Sequence, residues 1–293
     1  MRAVMLAAGC GTRLSNGEPD FPPKVLLRFD EKSLLERHIE ILRTAGLEEL
    51  VLVIGYRQED VRSDIARAGF GSFVRRVVNP DYELGAVVSL AAAASALTDG
   101  KDVLFMDADL LYERVLIDRL VASPHENCFL LDRNLDAGDD PVKLCLRDGQ
   151  IVEFGKKVNG SFDVVGEWPG FLRLSPAMAR RTADAVAGFL AAGRHTESYE
   201  PAIRDILLDE PPRRFGYEDI TGSSWIEIDF PEDLERARSV ILPRIGSLRA
   251  VGRQVTSPKH RAKQGTLGLV WPPGCEGNSF RGQHVPAGQD IVS

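Results

Sequence analysis

The feature that most constrains this chain is an apolar strand that runs directly into a glycine-rich loop near the N-terminus. Residues 3–8 are apolar throughout, without alternation, which indicates a strand buried on both faces. Gly9 and Gly11 in the following loop let the backbone turn tightly and approach a ligand closely. Backbone N–H groups in such a turn, with Arg13 and Lys24 nearby, favour a bound anion. The segment therefore predicts a cradle for the phosphates of a nucleoside triphosphate.

Two other phosphate-binding motifs do not fit this segment. A dinucleotide-binding fingerprint requires a third glycine where this chain has Leu14. A P-loop requires a Gly-Lys-Ser/Thr sequence, which does not follow here. An ordinary strand-to-loop turn is the remaining alternative.

Strands and helices alternate through the first half of the chain. This order predicts an α/β fold with a mainly parallel sheet and helices on both faces. Ligands of such sheets bind at the carboxyl ends of the strands, where the cradle would lie. The expected strands here span residues 3–8, 50–54, 73–78 and 103–106, and the expected helices begin after Ser33, at Asp60 and at Ser89.

Shorter strands are expected from Asn127 onward. They span residues 128–132, 142–146, 150–154, 171–174 and 225–229, with Asp148-Gly149 as a hairpin turn. Helices are expected over 175–190, over 199–208 and from Pro231 to about residue 241. We expect one domain over 1–246, with a nucleotide half over about 1–125 and an acceptor half over about 126–246. The tail, 247–293, is rich in Gly, Pro, Gln and Arg, and we expect it to be disordered.

Charge and cysteine usage exclude several classes of protein. The formal net charge of −7 does not favour a nucleic-acid partner. The 4 cysteines show neither metal-ligand spacing nor a disulfide framework. We see no signal peptide, and no apolar run reaches the roughly 18 residues of a membrane-spanning helix, so we expect a cytoplasmic protein without membrane insertion.

Asp107 and Asp109 follow a buried strand, and they are separated by one residue. Two carboxylates in this arrangement suit a hard cation that prefers oxygen ligands. The alternative is a turn whose aspartates cap a helix. A neighbouring triphosphate cradle favours the metal interpretation, because a triphosphate is normally bound together with Mg²⁺.

The sequence LAAGCGTRL at 6–14, followed by Pro23-Lys24, resembles the signature of the nucleotidyltransferases that activate sugar phosphates and phospho-alcohols. The segment WIEIDFPEDLERA at 225–237 resembles the phosphocholine cytidylyltransferase-like subgroup, which uses CTP. The resemblance implies a three-layer Rossmann-like, GT-A-like fold with a small β-rich acceptor lobe. It also implies that the loop wraps the nucleotide and that Arg13 and Lys24 are catalytic groups on its phosphates. The loop residues concerned are Leu6, Ala7, Ala8, Gly9, Gly11 and Thr12.

The same resemblance assigns further residues of the nucleotide and metal sites. Asn79 and Ser89 would face the base and ribose, although Ala86 departs from the asparagine common in the subgroup. Asp229 would be the second metal carboxylate, joining Asp107 and Asp109 around Mg²⁺. Glu227 points to the same side as Asp229 by the period of a strand and is a weaker candidate.

The resemblance to this subgroup also implies acceptor-binding residues in the second half of the chain. Glu167 would contact a cation or hydroxyl of the acceptor, and Trp168 would offer a cation–π face to a quaternary ammonium. A core tryptophan beside a surface glutamate is the alternative. Lys156 would hold the acceptor phosphate or else lie on a solvated hairpin, and Tyr199 and Glu200 would line the acceptor site.

These expectations together predict an enzyme that joins CTP to a phospho-alcohol or phosphonate and releases pyrophosphate. The first alternative is a sugar-1-phosphate or inositol-1-phosphate nucleotidyltransferase, which would share the cradle and the metal site. The second alternative is a nucleotide-binding regulatory relative without activity. We also consider a homodimer possible.

Overall fold

The computed structural model describes residues 1–18, 20–135 and 141–245. Its strands, in chain order, are β1 (Arg2–Ala7), β2 (Arg28–Phe29), β3 (Lys32–Ser33), β4 (Leu50–Ile54), β5 (Val74–Val78), β6 (Val103–Asp107), β7 (Leu110–Tyr112), β8 (Cys128–Leu131), β9 (Lys143–Arg147), β10 (Gln150–Gly155), β11 (Val164–Glu167), β12 (Phe171–Leu174), β13 (Gly216–Asp219) and β14 (Trp225–Glu227).

The α-helices are α1 (Thr12–Ser15), α2 (Leu34–Thr44), α3 (Gln58–Arg67), α4 (Ala86–Ala92), α5 (Ala94–Leu97), α6 (Val115–Ala122), α7 (Pro176–Ala191), α8 (Glu200–Asp209) and α9 (Pro231–Arg236). A 3₁₀ turn spans Lys24–Leu26, and a π-helical turn, Ala237–Ile241, continues from α9. Ser33 begins α2 with a capping box, in which its hydroxyl accepts the Glu36 N–H and the Glu36 carboxylate accepts the Ser33 N–H.

The central sheet has the order β13-β8-β12-β6-β1-β4-β5 within the described residues. Strands β6, β1, β4 and β5 are parallel, and β12 runs antiparallel between β6 and β8. The carboxyl ends of β1 and β6 therefore lie side by side, and the register pairs Leu6 with Asp107. This arrangement brings the glycine-rich loop beside the Asp107–Asp109 segment.

Helices cover both faces of this sheet. Ala3 and Met5 of β1 pack in one core with α2, α3 and α6, whereas Val4 packs in the other core with α4, α5, α7 and α8. The uninterrupted apolar sequence of β1 follows from this burial on both faces. The three-layer α/β fold with a mainly parallel mixed sheet is confirmed.

Three small sheets accompany the central one in the described residues, and one of them is the short pair of β2 and β3. Strands β10, β9 and β11 form an antiparallel sheet whose hairpin turns at Asp148 and Gly149, both with positive φ. Arg204 of α8 donates to both carboxylate oxygens of Glu153 at 2.6 Å, which fastens this β-rich lobe to α8. Strands β7 and β14 pair with each other, beside a third core that includes Leu111, Ile226 and Ile228.

Several elements differ from the sequence-based expectation. The helix expected from Ser89 begins at Ala86 and breaks at Ala93, whose φ of −83° and ψ of 4° leave the helical region. The strand expected over 225–229 ends at Glu227, so Asp229 lies beyond it. The expected final helix turns π-helical after Arg236. Helices α1 and α6 and strands β2, β3, β7 and β13 were not expected from the sequence.

The described residues belong to the unit Met1–Gln254. The expected boundary at 246 and the disordered tail over 247–293 lie outside the described residues and stay predictions. Within the described ranges, no helix combines the length and the apolar character that crossing a bilayer requires.

Candidate functional site

The glycine-rich loop forms one wall of a cavity of about 230 Å³ at the end of β1. Gly11 has φ 63°, in the left-handed region that glycine adopts without strain, and its carbonyl accepts the N–H groups of Leu14 and Ser15 at the start of α1. A Cβ atom at Gly9 would meet nothing within 4 Å, so a side chain there would project into open space. We call this cavity the nucleotide cavity after the sequence-based expectation. Its described lining residues are Leu6, Ala7, Gly9, Gly11, Thr12, Arg13, Lys24, Val25, Ala108 and Asp109.

Lys24 lies between two carboxylates at the edge of this cavity. Its Nζ donates to Asp109 Oδ2 at 2.9 Å and to Asp229 Oδ1 at 2.5 Å. Burial acts to lower the pKa of Lys24, but the charges and hydrogen bonds of Asp109 and Asp229 raise it above its ordinary value. Lys24 is therefore a permanent cation at this position.

Arg13 adds a second cation on the same carboxylate. Its Nη2 donates to Asp229 Oδ2 at 2.8 Å, and its guanidinium lies 5.2 Å from the centroid of the Phe230 ring. The Asp233 carboxylate accepts the backbone N–H groups of Asp229 and Phe230, which fixes the turn before α9. Both oxygens of Asp229 thus face basic side chains from the loop side of the site.

Asp109, Glu227 and Asp229 form a group of three carboxylates, with ligand oxygens that all lie within 4.8 Å of one another. The pairing of β7 with β14 brings them together, because Glu227 lies opposite Leu110 and the Ile228 N–H donates to the Asp109 carbonyl at 3.0 Å. Desolvation, followed by the charges of Asp109 and Asp229, raises the pKa of Glu227 well above its usual range. An all-oxygen donor set of this kind fits a hard divalent cation.

Asp107 stands apart from this carboxylate group in the described structure. Its carboxylate accepts the Tyr199 hydroxyl, and a Cβ atom at Gly170 would lie 2.7 Å from its Oδ2. Burial, and then the neighbouring charge of Asp109, raises the pKa of Asp107 well above its usual range. Gly170, with φ 79°, is needed for this close approach.

His38 is hydrogen-bonded to the backbone of Ala108, the residue between Asp107 and Asp109. Its Nε2 donates to the Ala108 carbonyl at 3.0 Å, so its Nδ1, 3.1 Å from the Tyr112 hydroxyl, is the acceptor of that hydroxyl. Burial lowers the pKa of His38 to about 4, against the smaller effects of Ala108 and Asp109. The ring is therefore neutral and fixed in one tautomer near neutral pH.

Asn79 and Ser89 are not among the described lining residues of the nucleotide cavity. Both are buried, and the Asn79 side-chain amide donates to the Ser89 hydroxyl at 3.0 Å. The Asn79 carbonyl oxygen accepts the Asp81 N–H at 3.0 Å. The pair ties the end of β5 to α4, and their contact with a base or ribose stays a prediction.

A second cavity of about 380 Å³ adjoins the carboxylate group, and we call it the acceptor cavity after the residues expected from the sequence to bind the acceptor. Glu227 and Asp229 line it, while Asp109 lines the nucleotide cavity, so the carboxylate group separates the two spaces. All five residues expected at the acceptor site line this cavity: Lys156, Glu167, Trp168, Tyr199 and Glu200. The cavity also takes in Asp132, Trp225, Arg236 and Arg244, which the sequence analysis did not single out as site residues.

Trp168 is a core residue at the wall of the acceptor cavity. It is 3% exposed, its indole N–H donates to the Phe171 carbonyl at 2.7 Å, and its ring packs edge-on against Phe154 and Tyr199. Trp225 is more exposed, and its indole N–H donates to Asp132 Oδ2 at 2.8 Å. The geometry thus favours the core interpretation of Trp168 over an open cation–π face.

Comparison with known proteins agrees with this geometry. Residues 3–146 match the MobA-like NTP transferase domain. These residues therefore belong to the MobA-like NTP transferase family. The chain is 29% identical to a CMP-5'-(3-aminopropyl)phosphonate synthase of Streptomyces rubellomurinus over 81% of this chain and 38% of that protein. It is 24% identical to a CTP:phosphoglutamine cytidylyltransferase of Campylobacter jejuni over 80% of this chain and 98% of that protein.

Among solved structures, this chain is similar to the inositol-1-phosphate CTP transferase of T. maritima. The TM-score is 0.68 at 20% identity, with 85% of this chain and 96% of that chain covered. At this identity the likeness concerns the fold. The chain spans 38% of the length of the Streptomyces relative but nearly the whole of the Campylobacter one.

Proposed function

We propose that this chain is a Mg²⁺-dependent cytidylyltransferase that joins CTP to a phospho-alcohol or phosphonate and releases pyrophosphate. The observation that carries the proposal is the position of Lys24, which bridges Asp109 and Asp229 between the nucleotide and acceptor cavities. A cation and a carboxylate group at the junction of two cavities suit transfer of a nucleotidyl group from one space to the other. The names of the Streptomyces and Campylobacter relatives support CTP and a phosphorus-containing acceptor.

The chemistry requires little from the protein beyond position and charge. An anionic oxygen of the acceptor attacks the α-phosphorus of CTP, a new P–O bond forms, and the bond to the β-phosphate breaks. Because that oxygen is already deprotonated at neutral pH, no strong general base is needed. Lys24 and Arg13 bind the phosphates and stabilise the charge that moves onto the leaving pyrophosphate.

Asp109, Glu227 and Asp229 fit the role of Mg²⁺ ligands, with Asp107 beside them on the acceptor side. Mg²⁺ bound there would neutralise phosphate charge and help to orient the two reacting groups. Gly9, Gly11 and Thr12 would surround the triphosphate, and Lys156, Glu167, Trp168, Tyr199 and Glu200 would shape the acceptor space. The phosphocholine-like acceptor, the cytoplasmic location and the homodimer stay predictions.

A second candidate is a sugar-1-phosphate or inositol-1-phosphate nucleotidyltransferase. The name of the T. maritima structure, an inositol-1-phosphate CTP transferase, raises this candidate, although the likeness itself concerns only the fold. It would use the same phosphate and carboxylate groups, so only the acceptor cavity separates the two candidates.

Pyrophosphate release tests the proposal. The protein is incubated with Mg²⁺, each of the four NTPs and one acceptor at a time: phosphocholine, 2-aminoethylphosphonate, inositol-1-phosphate or glucose-1-phosphate. Release with CTP and a phospho-alcohol or phosphonate supports the first candidate, whereas release only with a sugar or inositol phosphate supports the second. Nucleotide binding without release from any pair contradicts both. Asp229→Asn is the matched control and should release pyrophosphate much more slowly at the same Mg²⁺ concentration, because it keeps the side-chain size while removing the charge.

A further inference from the structure

Glu200 differs from the other acidic residues of the acceptor cavity. It is the first residue of α8, it lines the cavity, and it is 9% exposed. Its Oε2 is buried and has no hydrogen-bond partner among the described residues. A buried carboxylate oxygen without a donor is unfavourable, so this atom indicates a donor that a ligand would supply.

The neighbouring acids already have donors. Asp107 accepts the Tyr199 hydroxyl, and Asp132 accepts the Trp225 indole N–H and the Asn134 N–H. Among Asp107, Asp132 and Glu200, only Glu200 has a buried carboxylate oxygen that lacks a donor in the described structure. The acids also make this part of the cavity negative, which favours a cationic ligand over a neutral one.

The cavity also contains positive groups for the other end of such a ligand. Lys156, Arg236 and Arg244 line it together with the acids. A ligand with an anionic phosphorus group and a cationic group would match both signs of charge. This is the charge distribution of an aminoalkyl phosphate or phosphonate.

Glu200 and Trp168 line the acceptor cavity, and the groups that they present to a ligand decide which kind of ammonium fits. A primary ammonium carries three N–H donors and can satisfy Glu200 Oε2, whereas a quaternary ammonium carries none and depends on an open aromatic face. Trp168 is closed by edge-on contacts with Phe129, Phe154 and Tyr199. Its burial therefore removes the face that the quaternary ligand would need there.

We propose that Glu200 binds the primary ammonium of an aminoalkyl phosphonate or phosphate acceptor and thereby selects it against quaternary and uncharged acceptors. This inference rests on the proposed function, since it names the acceptor class of the same site. Glu200 acts on binding of the acceptor rather than on the transferred phosphorus. Loss of the Glu200 carboxylate should therefore raise KM for the acceptor and leave kcat nearly unchanged.

The test compares acceptors that share a skeleton: 2-aminoethylphosphonate, its N-trimethyl derivative and 2-hydroxyethylphosphonate, each with CTP and Mg²⁺. We expect the primary amine to have the lowest KM, and Glu200→Gln to raise that KM by about 100-fold with kcat nearly unchanged. Glu200→Asp should recover part of the loss. Asp205→Asn, which removes the same charge from an exposed position on α8, is the control and should leave KM unchanged.

An equal or lower KM for the trimethyl or hydroxyl compound would overturn the inference while leaving cytidylyl transfer intact. So would a loss in Glu200→Gln that is the same for all three compounds. If no compound is turned over, the proposed function fails, and calorimetric titration of 2-aminoethylphosphonate then decides the inference separately. Binding to the wild type but not to Glu200→Gln supports it, and equal or absent binding to both overturns it.

Discussion

Lys24 and Asp229 form a direct ion pair, with 2.5 Å between Nζ and Oδ1, although 205 residues separate them in sequence. The pair holds the start of the chain against the segment that precedes α9. It also means that the cation expected on the nucleotide phosphates already neutralises two carboxylates of the candidate metal site. Binding of a triphosphate to Lys24 and Arg13 would draw these cations away and expose the carboxylates to a divalent cation.

Replacement of Lys24 should therefore change metal binding and catalysis in opposite directions. Lys24→Gln leaves Asp109 and Asp229 without their shared cation, so we expect free Mg²⁺ to bind about tenfold more tightly in the absence of nucleotide. The rate should fall by about 100- to 1000-fold, because a group that stabilises phosphate charge is lost. Calorimetric titration with Mg²⁺ and steady-state rates measure the two effects.

Lys101→Gln is the control for that experiment, because Lys101 pairs with exposed Glu48 away from the site. It should change neither quantity. An unchanged Mg²⁺ affinity in Lys24→Gln would show that Lys24 does not compete with the cation.

The three aspartates near the junction of the cavities should not be equivalent. Asp109→Asn and Asp229→Asn each remove one member of the carboxylate group, so we expect the Mg²⁺ concentration for half-maximal rate to rise by about tenfold or more. Asp107→Asn should change it much less, because Asp107 bonds to Tyr199 outside that group. Mg²⁺ titrations of the rate measure this order. An Asp107→Asn variant with the largest shift would place Asp107 among the metal ligands.

His38 should make the folded state sensitive to acid. Its pKa is lowered from 6.5 to about 4 in the folded protein. Between pH 6.5 and 4, His38 is therefore protonated in the unfolded chain but stays neutral in the folded protein. The free energy of unfolding should therefore be unaffected above pH 6.5 and fall by up to about 3 kcal/mol between pH 6.5 and 4. Denaturant unfolding at a series of pH values measures this slope.

The His38→Gln variant isolates that contribution. Its amide can still donate to the Ala108 carbonyl but does not titrate. We expect it to be less stable than the wild type at pH 8 and to show a shallower loss between pH 6.5 and 4. Equal slopes in the two proteins would assign the acid sensitivity to other groups.

The sequence predicted the parts of the site that depend on local motifs and on strand ends. The apolar run 3–8 and the glycines after it predict β1 and the loop, and the carboxyl ends of parallel strands share one edge of the sheet. The structure accordingly brings Arg13 and Lys24 to Asp109 and Asp229. Their roles toward CTP and Mg²⁺ stay predictions.

The remaining parts depend on tertiary contacts that no short motif encodes. Glu227 enters the carboxylate group because β14 pairs with the three-residue strand β7, which is too short to show a period in sequence. The Trp168 side chain lies in the core, where its indole N–H donates a hydrogen bond to the Phe171 carbonyl. The alternation of side chains along a strand indicated Glu227 only as a weaker candidate for the metal site. It did not indicate whether the Trp168 side chain points into the core or into the acceptor cavity.

Substitution of Trp168 should separate packing from acceptor binding. Trp168→Ala should lower the free energy of unfolding by about 3–5 kcal/mol, since it empties a buried site among aromatic rings. Trp168→Phe should keep most of the packing, lose about 1 kcal/mol with the indole hydrogen bond, and leave KM for the acceptor nearly unchanged. Denaturant unfolding and acceptor KM are measured on both variants. A stable Trp168→Phe protein whose KM rises severalfold for a quaternary ammonium acceptor alone would restore the cation–π role to Trp168.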